Sequence, residues 1–185
     1  MEIKYIEIEN NKIYKLLNNG CLIIVSTSDK NGNKNIAPIA WQTPVDYDPV
    51  TKILIVCDSN HKTSNNIKET KKFVIVIPHK SQKKLVIESG NITGNKFNKI
   101  EKLKVNYFLS KNYKYIIPEG SIGYIECELI KEYEEDGVLI FIGKAIFAEV
   151  NQESFADRLL CEKDEGKTLH HLGGNIFITS ADKIL

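Results

Sequence analysis

Residues 121–150 read SIGYIECELIKEYEEDGVLIFIGKAIFAEV. Two long runs rich in apolar and β-branched residues flank Asp136-Gly137, and charges gather beside that pair. An Asp-Gly dipeptide supplies the two positive φ angles of a tight hairpin turn. The stretch therefore reads as a long antiparallel hairpin, and the rest of the chain is read outward from it.

Upstream, CLIIVSTS (21–28) is a buried strand by its continuous apolar and β-branched character. Asn31-Gly32 is a second hairpin turn, with NIAPIAWQT (35–43) as the returning strand. VDYDPVTK turns the chain into the strand ILIVC, and FVIVIP and NIFITS are further strands. Helices are expected over NKIYKLLNNG (11–20), stopped by Gly20, and over SNNIKETKK (64–72). Another runs from Ser81, its cap, to Gly90, with Leu85 and Val86 turned inward. In NKFNKIEKL the apolar residues fall at 97, 100 and 103, a helical spacing. The sum is about six or seven mostly antiparallel strands with short helices, which favours a barrel or sandwich. Strands do not alternate with long helices, and no Gly-x-Gly-x-x-Gly or Walker motif is present, so a Rossmann-type sheet is not expected.

The length of 185 residues suits a single domain over 1–185, and 42% hydrophobic residues supply a core without disulfides or metal. With 25 Lys+Arg against 24 Asp+Glu there is no global basic field for nucleic acid, although a local pocket for a small anion stays open. The four cysteines form no Cys-x-x-Cys pair, and three lie in apolar runs as buried reduced thiols. The N-terminus lacks the pattern of a signal peptide, and no apolar run approaches the ~20 residues that cross a bilayer. A cytoplasmic protein with no membrane partner is expected.

Three local features carry chemistry. The polar loop at 58–64 places Ser59, Lys62, Thr63 and Ser64 before a helix, where free backbone N–H groups attract an anion. The other reading is a solvated capping loop. Trp41, the one Trp, lies between Pro38 and Pro44. Proline implies an edge or an opening in the sheet, which would free backbone near Ala37, Ile39 and Ala40 for something planar. The other reading is a core Trp on a kinked edge. TLHHLGGN (168–175) suggests a shaped loop beside an anion or carbonyl, with too thin a ligand set for a metal, and the other reading is a bland, partly exposed loop.

These features occur in one order: NIAPIAWQTPV, SNHKTSNNIKETKKFVIVIP, SGNITGNKFNKI and HHLGGNIF, spanning about residues 20–180. In that order the chain resembles the flavin reductase-like family of FMN-binding split barrels, in its flavoredoxin-like subgroup. The resemblance implies a six-stranded antiparallel Greek-key barrel with short peripheral helices. It also implies a homodimer with FMN near the subunit interface. By the same resemblance Asn35 and Trp41 border the flavin ring and ribityl chain, and Ala37 and Ala40 contact the ring through backbone. Ser59, Lys62 and Thr63 take the phosphate, and Asn66 with Ile67 starts the following helix. Lys96, paired with Phe97, approaches the flavin, and His171 and Phe177 close over the site. Two positions depart from the pattern. Many relatives have Ser where this chain has Ala40, and many have Arg where it has Lys62, which offers a point charge in place of bidentate geometry.

The implied activity passes electrons from NADH or NADPH through bound FMN to an acceptor. No catalytic acid or nucleophile is assigned, because the cofactor carries the chemistry. The alternatives are an FMN electron carrier that exchanges electrons with a redox protein partner, and a non-catalytic flavin-binding module.

Overall fold

The computed structural model describes residues 20–181, with Glu9, Lys12, Leu16 and Leu17 before them. The helix expected over 11–20 falls mostly outside the described residues. In chain order, β1 (Ile23–Ser28) and β2 (Lys34–Ile39) form the first hairpin, and β3 (Gln42–Asp46) and β4 (Lys52–Asp58) the second. α1 (Lys62–Thr70) leads into β5 (Lys72–Ile77). Then come α2 (Lys83–Asn91), α3 (Lys99–Lys102) and a small ribbon of β6 (Tyr107–Leu109) and β7 (Ile116–Pro118). The long hairpin is β8 (Gly123–Glu135) with β9 (Val138–Val150), and a last ribbon pairs β10 (Leu169–Gly173) with β11 (Ile176–Thr179).

The decisive hairpin forms as its turn chemistry requires: Asp136 and Gly137 sit at φ 46° and 81°. Gly32 likewise takes φ 85° in the first hairpin. Seven strands make one antiparallel sheet in the order β2-β1-β5-β8-β9-β4-β3. Its two edge strands, β2 and β3, are consecutive in sequence and joined by Ala40 and Trp41 alone. They share a covalent corner and no ladder. The sheet is thus a mainly β split barrel, open between β2 and β3.

This corrects the single strand expected over 35–43, and the count of six becomes seven. Pro38 lies opposite Ile24 and Pro44 opposite Ile53. Each proline stands on an edge strand, where its missing N–H breaks no ladder on the outer side. The break falls between the two prolines, so the lone Trp is the corner.

Alternate residues of β1 serve two cores, as the period of a strand dictates. Ile23 and Val25 face the barrel interior with Ile55, Phe73, Leu139, Phe141 and the buried thiols of Cys57 and Cys127. Ile24 faces the outer layer with Ile36, Val74, Val86 and Ile117, beneath α2 and the β6–β7 ribbon. Both sides of β1 are covered, which explains its unbroken apolar run.

The helices depart in detail from expectation. α1 begins two residues earlier, at Lys62, and Lys71 ends it at φ 58°. Ser81 is not the cap before α2. A 3-10 turn, Lys80–Gln82, precedes that helix and is capped by His79, whose ring accepts from Ser81 N. Gly90 does not end α2, which runs on to Asn91. α3 is one turn, capped by Asn98, so Phe97 lies outside it and exposed. Among the described residues no helix is long and apolar enough to cross a membrane.

One buried carboxylate organises the β6–β7 connection. Glu126 of β8 is fully buried and accepts from Tyr113 N at 2.8 Å, Asn112 N at 2.9 Å and Asn112 Nδ2 at 2.6 Å. Burial opposes its ionisation, yet the donors of Tyr113, Ser110 and Asn112 outweigh it and hold the carboxyl below its ordinary 4.5. A folded-state value lowered in this way contributes stability above about 4.5 that is lost as pH falls through the folded value. Glu126→Gln is therefore expected to cost about 2–3 kcal/mol near neutrality. It should also flatten the loss of stability below pH 5, and urea melts at several pH values check both.

Candidate functional site

β2 is the spine of the site. Three adjoining cavities of about 320, 240 and 270 Å³ lie along it and share Pro38. The first is walled by Ala37, Ala40 and Trp41 on the strand side and by His171, Gly173 and Gly174 of the last ribbon. The second lies between Asn35, the start of α1 at Lys62 and Thr63, and the loop after α2 at Thr93 and Gly94. The third is mainly apolar, with Leu22, Val86, Ile87 and Phe177 in its wall.

Small residues bring the walls close. Ala37 and Ala40 leave room over the strand, and Pro38 packs onto α2 where a side-chain carbon at Gly90 would lie 3.2 Å from its Cγ. Trp41 is 51% exposed and stands at the mouth, while its carbonyl accepts from Val56 N at 3.0 Å. His171 Nε2 donates to Gly174 O at 2.9 Å, and its ring lies 5.1 Å from that of Phe177. Both contacts lie within the β10–β11 ribbon and brace its turn.

The second cavity is polar. Its wall includes the N-terminus of α1, where the N-cap residue His61 makes no side-chain capping bond. The first-turn N–H groups there carry the positive end of the helix dipole. Thr63 is buried, and its Oγ1 accepts from Asn35 Nδ2 at 3.0 Å. Asn35 is 3% exposed, and its Oδ1 is buried without a partner. A side-chain carbon at Gly94 would lie 2.3 Å from that oxygen, so the loop after α2 can pack against Asn35 only with a glycine there. An unmet buried acceptor costs about 1–3 kcal/mol and points to a donor that arrives with a ligand. The residues present thus suit a group bearing hydroxyls next to an anion.

Charge is unequally distributed here. Lys62 Nζ lies 2.9 Å from Asp29 Oδ2. Burial opposes ionisation of Asp29, but bonds from Asn33 and Lys62 hold its carboxyl well below the usual carboxylate range. Lys99, absent from the expected set, lines the same cavity. Its Nζ donates to Ile36 O at 3.0 Å and Ser89 O at 2.7 Å, and burial pulls its pKa down to about 8.

Eight of the expected residues converge on the cleft: Asn35, Ala37, Ala40, Trp41, Lys62, Thr63, His171 and Phe177. Three are placed elsewhere. Ser59 sits against the tip of the long hairpin, its N donating to Gly137 O at 2.8 Å. Asn66 ties α1 to β1 through a 3.0 Å bond from Nδ2 to Thr27 Oγ1. Lys96 is exposed on the loop, its N donating to Thr93 O. The signal that would have found Lys99 is Asn98-x-x-Glu101, an N-cap pattern that starts the helix at Lys99 and turns its side chain toward β2.

Residues 18–170 match the family model described as flavin reductase like domain. An uncharacterized Escherichia coli protein, YddH, is 26% identical over 186 residues, covering 98% of this chain and 97% of its own. Among solved structures, an FMN-binding domain of a flavin reductases-like enzyme from Shewanella baltica is 25% identical. It superposes with a TM-score of 0.80 over 96% of this chain and 95% of that one. Flavoredoxin from Methanosarcina acetivorans shares the fold at 20% identity, with a TM-score of 0.82 over 98% and 94% of the two chains.

Proposed function

The chain belongs to the flavin reductase-like family, and from that premise we propose that it is an FMN-binding oxidoreductase that passes electrons from NADH or NADPH to an acceptor. The observation that carries the reading is the buried, unmet Asn35 Oδ1 in the wall of the cavity that Gly94 and the start of α1 also line. A ribityl chain presents hydroxyl donors and ends in a phosphate, which suits that acceptor and the helix N-terminus in one cavity. The adjoining cavity, floored by Ala37 and Ala40 and bordered by Trp41, suits a flat ring.

FMN, when bound, supplies the redox chemistry, and the chain positions and shields it. Thr63 fixes the Asn35 amide in the cavity wall. Pro38 offers no N–H at the centre of the wall, so the strand there presents carbon to a ring. The β10–β11 turn, braced by His171, covers one side and limits water. Trp41, Leu172 and Ile176 leave apolar surface exposed around the cleft, which supports a homodimer that covers it.

The test is anaerobic addition of NADH, then NADPH, to the FMN-loaded protein. The visible flavin band is expected to bleach with one or both and to return on exposure to an acceptor. Bound FMN that stays oxidised with both, and is reduced by dithionite alone, would overturn the nicotinamide step and leave an electron carrier.

A further inference from the structure

Two of the four thiols meet at one face of the last ribbon. Cys57 and Cys127 are enclosed in the barrel interior, whereas Cys21 and Cys161 are half-buried. Cys21 stands just before β1 and bridges to His170 of β10, which in turn lies opposite Ile178 of β11. Directly opposed residues of a sheet share a face, and so do residues two apart along a strand. Cys21, His170 and Thr168 therefore project to one side, and Thr168 Oγ1 lies 3.0 Å from His170 Nε2. Ser180 continues that side, because the pairing of Leu169 with Thr179 sets it opposite Thr168. Leu22 and Leu169 point the other way, into the outer core.

The second thiol is brought to the same side. Ser180 Oγ donates to Cys161 O at 2.9 Å, so the loop between β9 and β10 lies over the face from which Cys21 projects. Two 2.8 Å bonds close that loop on itself, Leu160 N to Ser154 O and Ser154 Oγ to Glu165 O. Burial pushes the Cys21 thiol up to about 11, a bond from Thr168 opposes that shift, and the neighbouring Cys161 adds to it. Cys21 is therefore a protonated thiol near neutrality, and an exchange reaction starts at Cys161. The Arg158 guanidinium donates to the Glu162 carboxylate and is also close enough to Cys161 to interact with its charge.

We propose that Cys21 and Cys161 form a reversible redox pair whose disulfide clamps the β10–β11 ribbon between the barrel and the loop before it. The oxidant is a small-molecule disulfide. The Cys161 thiolate attacks one of its sulfurs, forms a mixed disulfide and expels the first small thiolate. Cys21 then gives up its proton and attacks the Cys161 sulfur, which closes the bond between the two residues and expels the second small thiolate. Two protein thiols are oxidised, one external disulfide is reduced to two thiols, and the two protons pass to the leaving groups. Leu22, next to Cys21, and His171, next to His170, both wall the cleft. The effect of the clamp on the cofactor therefore rests on the reading that the cleft holds FMN, whereas the pair itself does not.

The experiment incubates the full chain, loaded with FMN, in reduced or in oxidised glutathione. Free thiols are then counted after unfolding, and the linked peptides are mapped by mass spectrometry. Oxidation is expected to lower the count from the four cysteines of the chain by two and to give a peptide joining Cys21 to Cys161. The new bond closes most of the chain into one loop, so the thermal midpoint should rise by about 5 °C or more. Release of FMN, followed by the return of free-flavin fluorescence on dilution, should slow by roughly three- to tenfold, because the bond suppresses local opening of the ribbon. In Cys161→Ser and Cys21→Ser the oxidant should change neither the midpoint nor the release rate.

The pair is overturned if oxidised wild type yields no peptide joining the two residues, whether its thiols stay free or carry glutathione singly. That measurement needs no variant to fold. The clamp is overturned if the joined protein releases FMN as fast as the reduced one. Wild type that binds no FMN would overturn the reading of the cleft and the cofactor effect with it, while the thiol count and the peptide map would still decide the pair.

Discussion

Gly94→Val is expected to abolish FMN binding while the barrel stays folded. An added side-chain carbon at Gly94 meets Asn35 Oδ1 at 2.3 Å, Asn35 Cγ at 3.1 Å and Lys62 Cβ at 3.1 Å. Asn35 cannot simply swing away, because it is buried and its Nδ2 is held by Thr63. Either the amide is displaced or the loop after α2 moves outward, and both fill or deform the polar cavity. Losing the acceptor and the space together is worth about 3 kcal/mol, roughly 100-fold or more in affinity. The loop lies at the surface, so the fold should lose no more than about 1–2 kcal/mol. Fluorescence titration gives the affinity, and a thermal melt shows the fold. Near-wild-type affinity in a folded variant would remove Asn35 and Gly94 from the site.

The second large effect is on stability and lies in the barrel interior. Gly143 of β9 pairs with Ile53 and Leu129, and a side-chain carbon there would lie 2.3 Å from Phe73 Cζ and 2.8 Å from Cε1. Phe73 is fully buried among Ile23, Ile55 and Leu139, and Cys127 Cβ blocks the other approach at 3.1 Å. The ring is fully buried, so Gly143→Ala is expected to cost about 3 kcal/mol, near the top of the range for overpacking. Leucine at 73 lacks the outer ring atoms. In a Phe73→Leu background, Gly143→Ala should therefore cost about 1–2 kcal/mol less than it does alone. Urea melts of the four proteins measure that coupling. Simple additivity would mean that the close approach of Gly143 and Phe73 is not what makes this position a glycine.

Much of this was legible in the residues. Asp136-Gly137 between two apolar runs specified the central hairpin, because a type I′ turn has few other solutions. Pro38 and Pro44 signalled sheet edges, and both stand on edge strands. The break at Ala40–Trp41 was not legible, since both residues are tolerated in a strand and the split is set by closure of the barrel. The strand β10 was hidden because His170 and His171 read as a loop. Yet Gly173 and Gly174, at φ 121° and 54°, made a turn flanked by LHHL and IFIT that marks a hairpin. At the site, the backbone wall from Asn35 to Trp41 and the start of α1 were visible in sequence. Lys99 was not, because the Lys96-Phe97 pair drew the reading one turn too early, and burial of a lysine depends on how α3 docks onto β2.

Titration of the purified chain with FMN, followed by visible absorbance and flavin fluorescence, tests most directly whether the cavities along β2 form one FMN site. Saturation is expected at one FMN per chain, with a perturbed flavin band and quenched or shifted emission, and loss of both in Gly94→Val. A flavin spectrum unchanged by the wild-type protein, or saturation that Gly94→Val leaves intact, would contradict it.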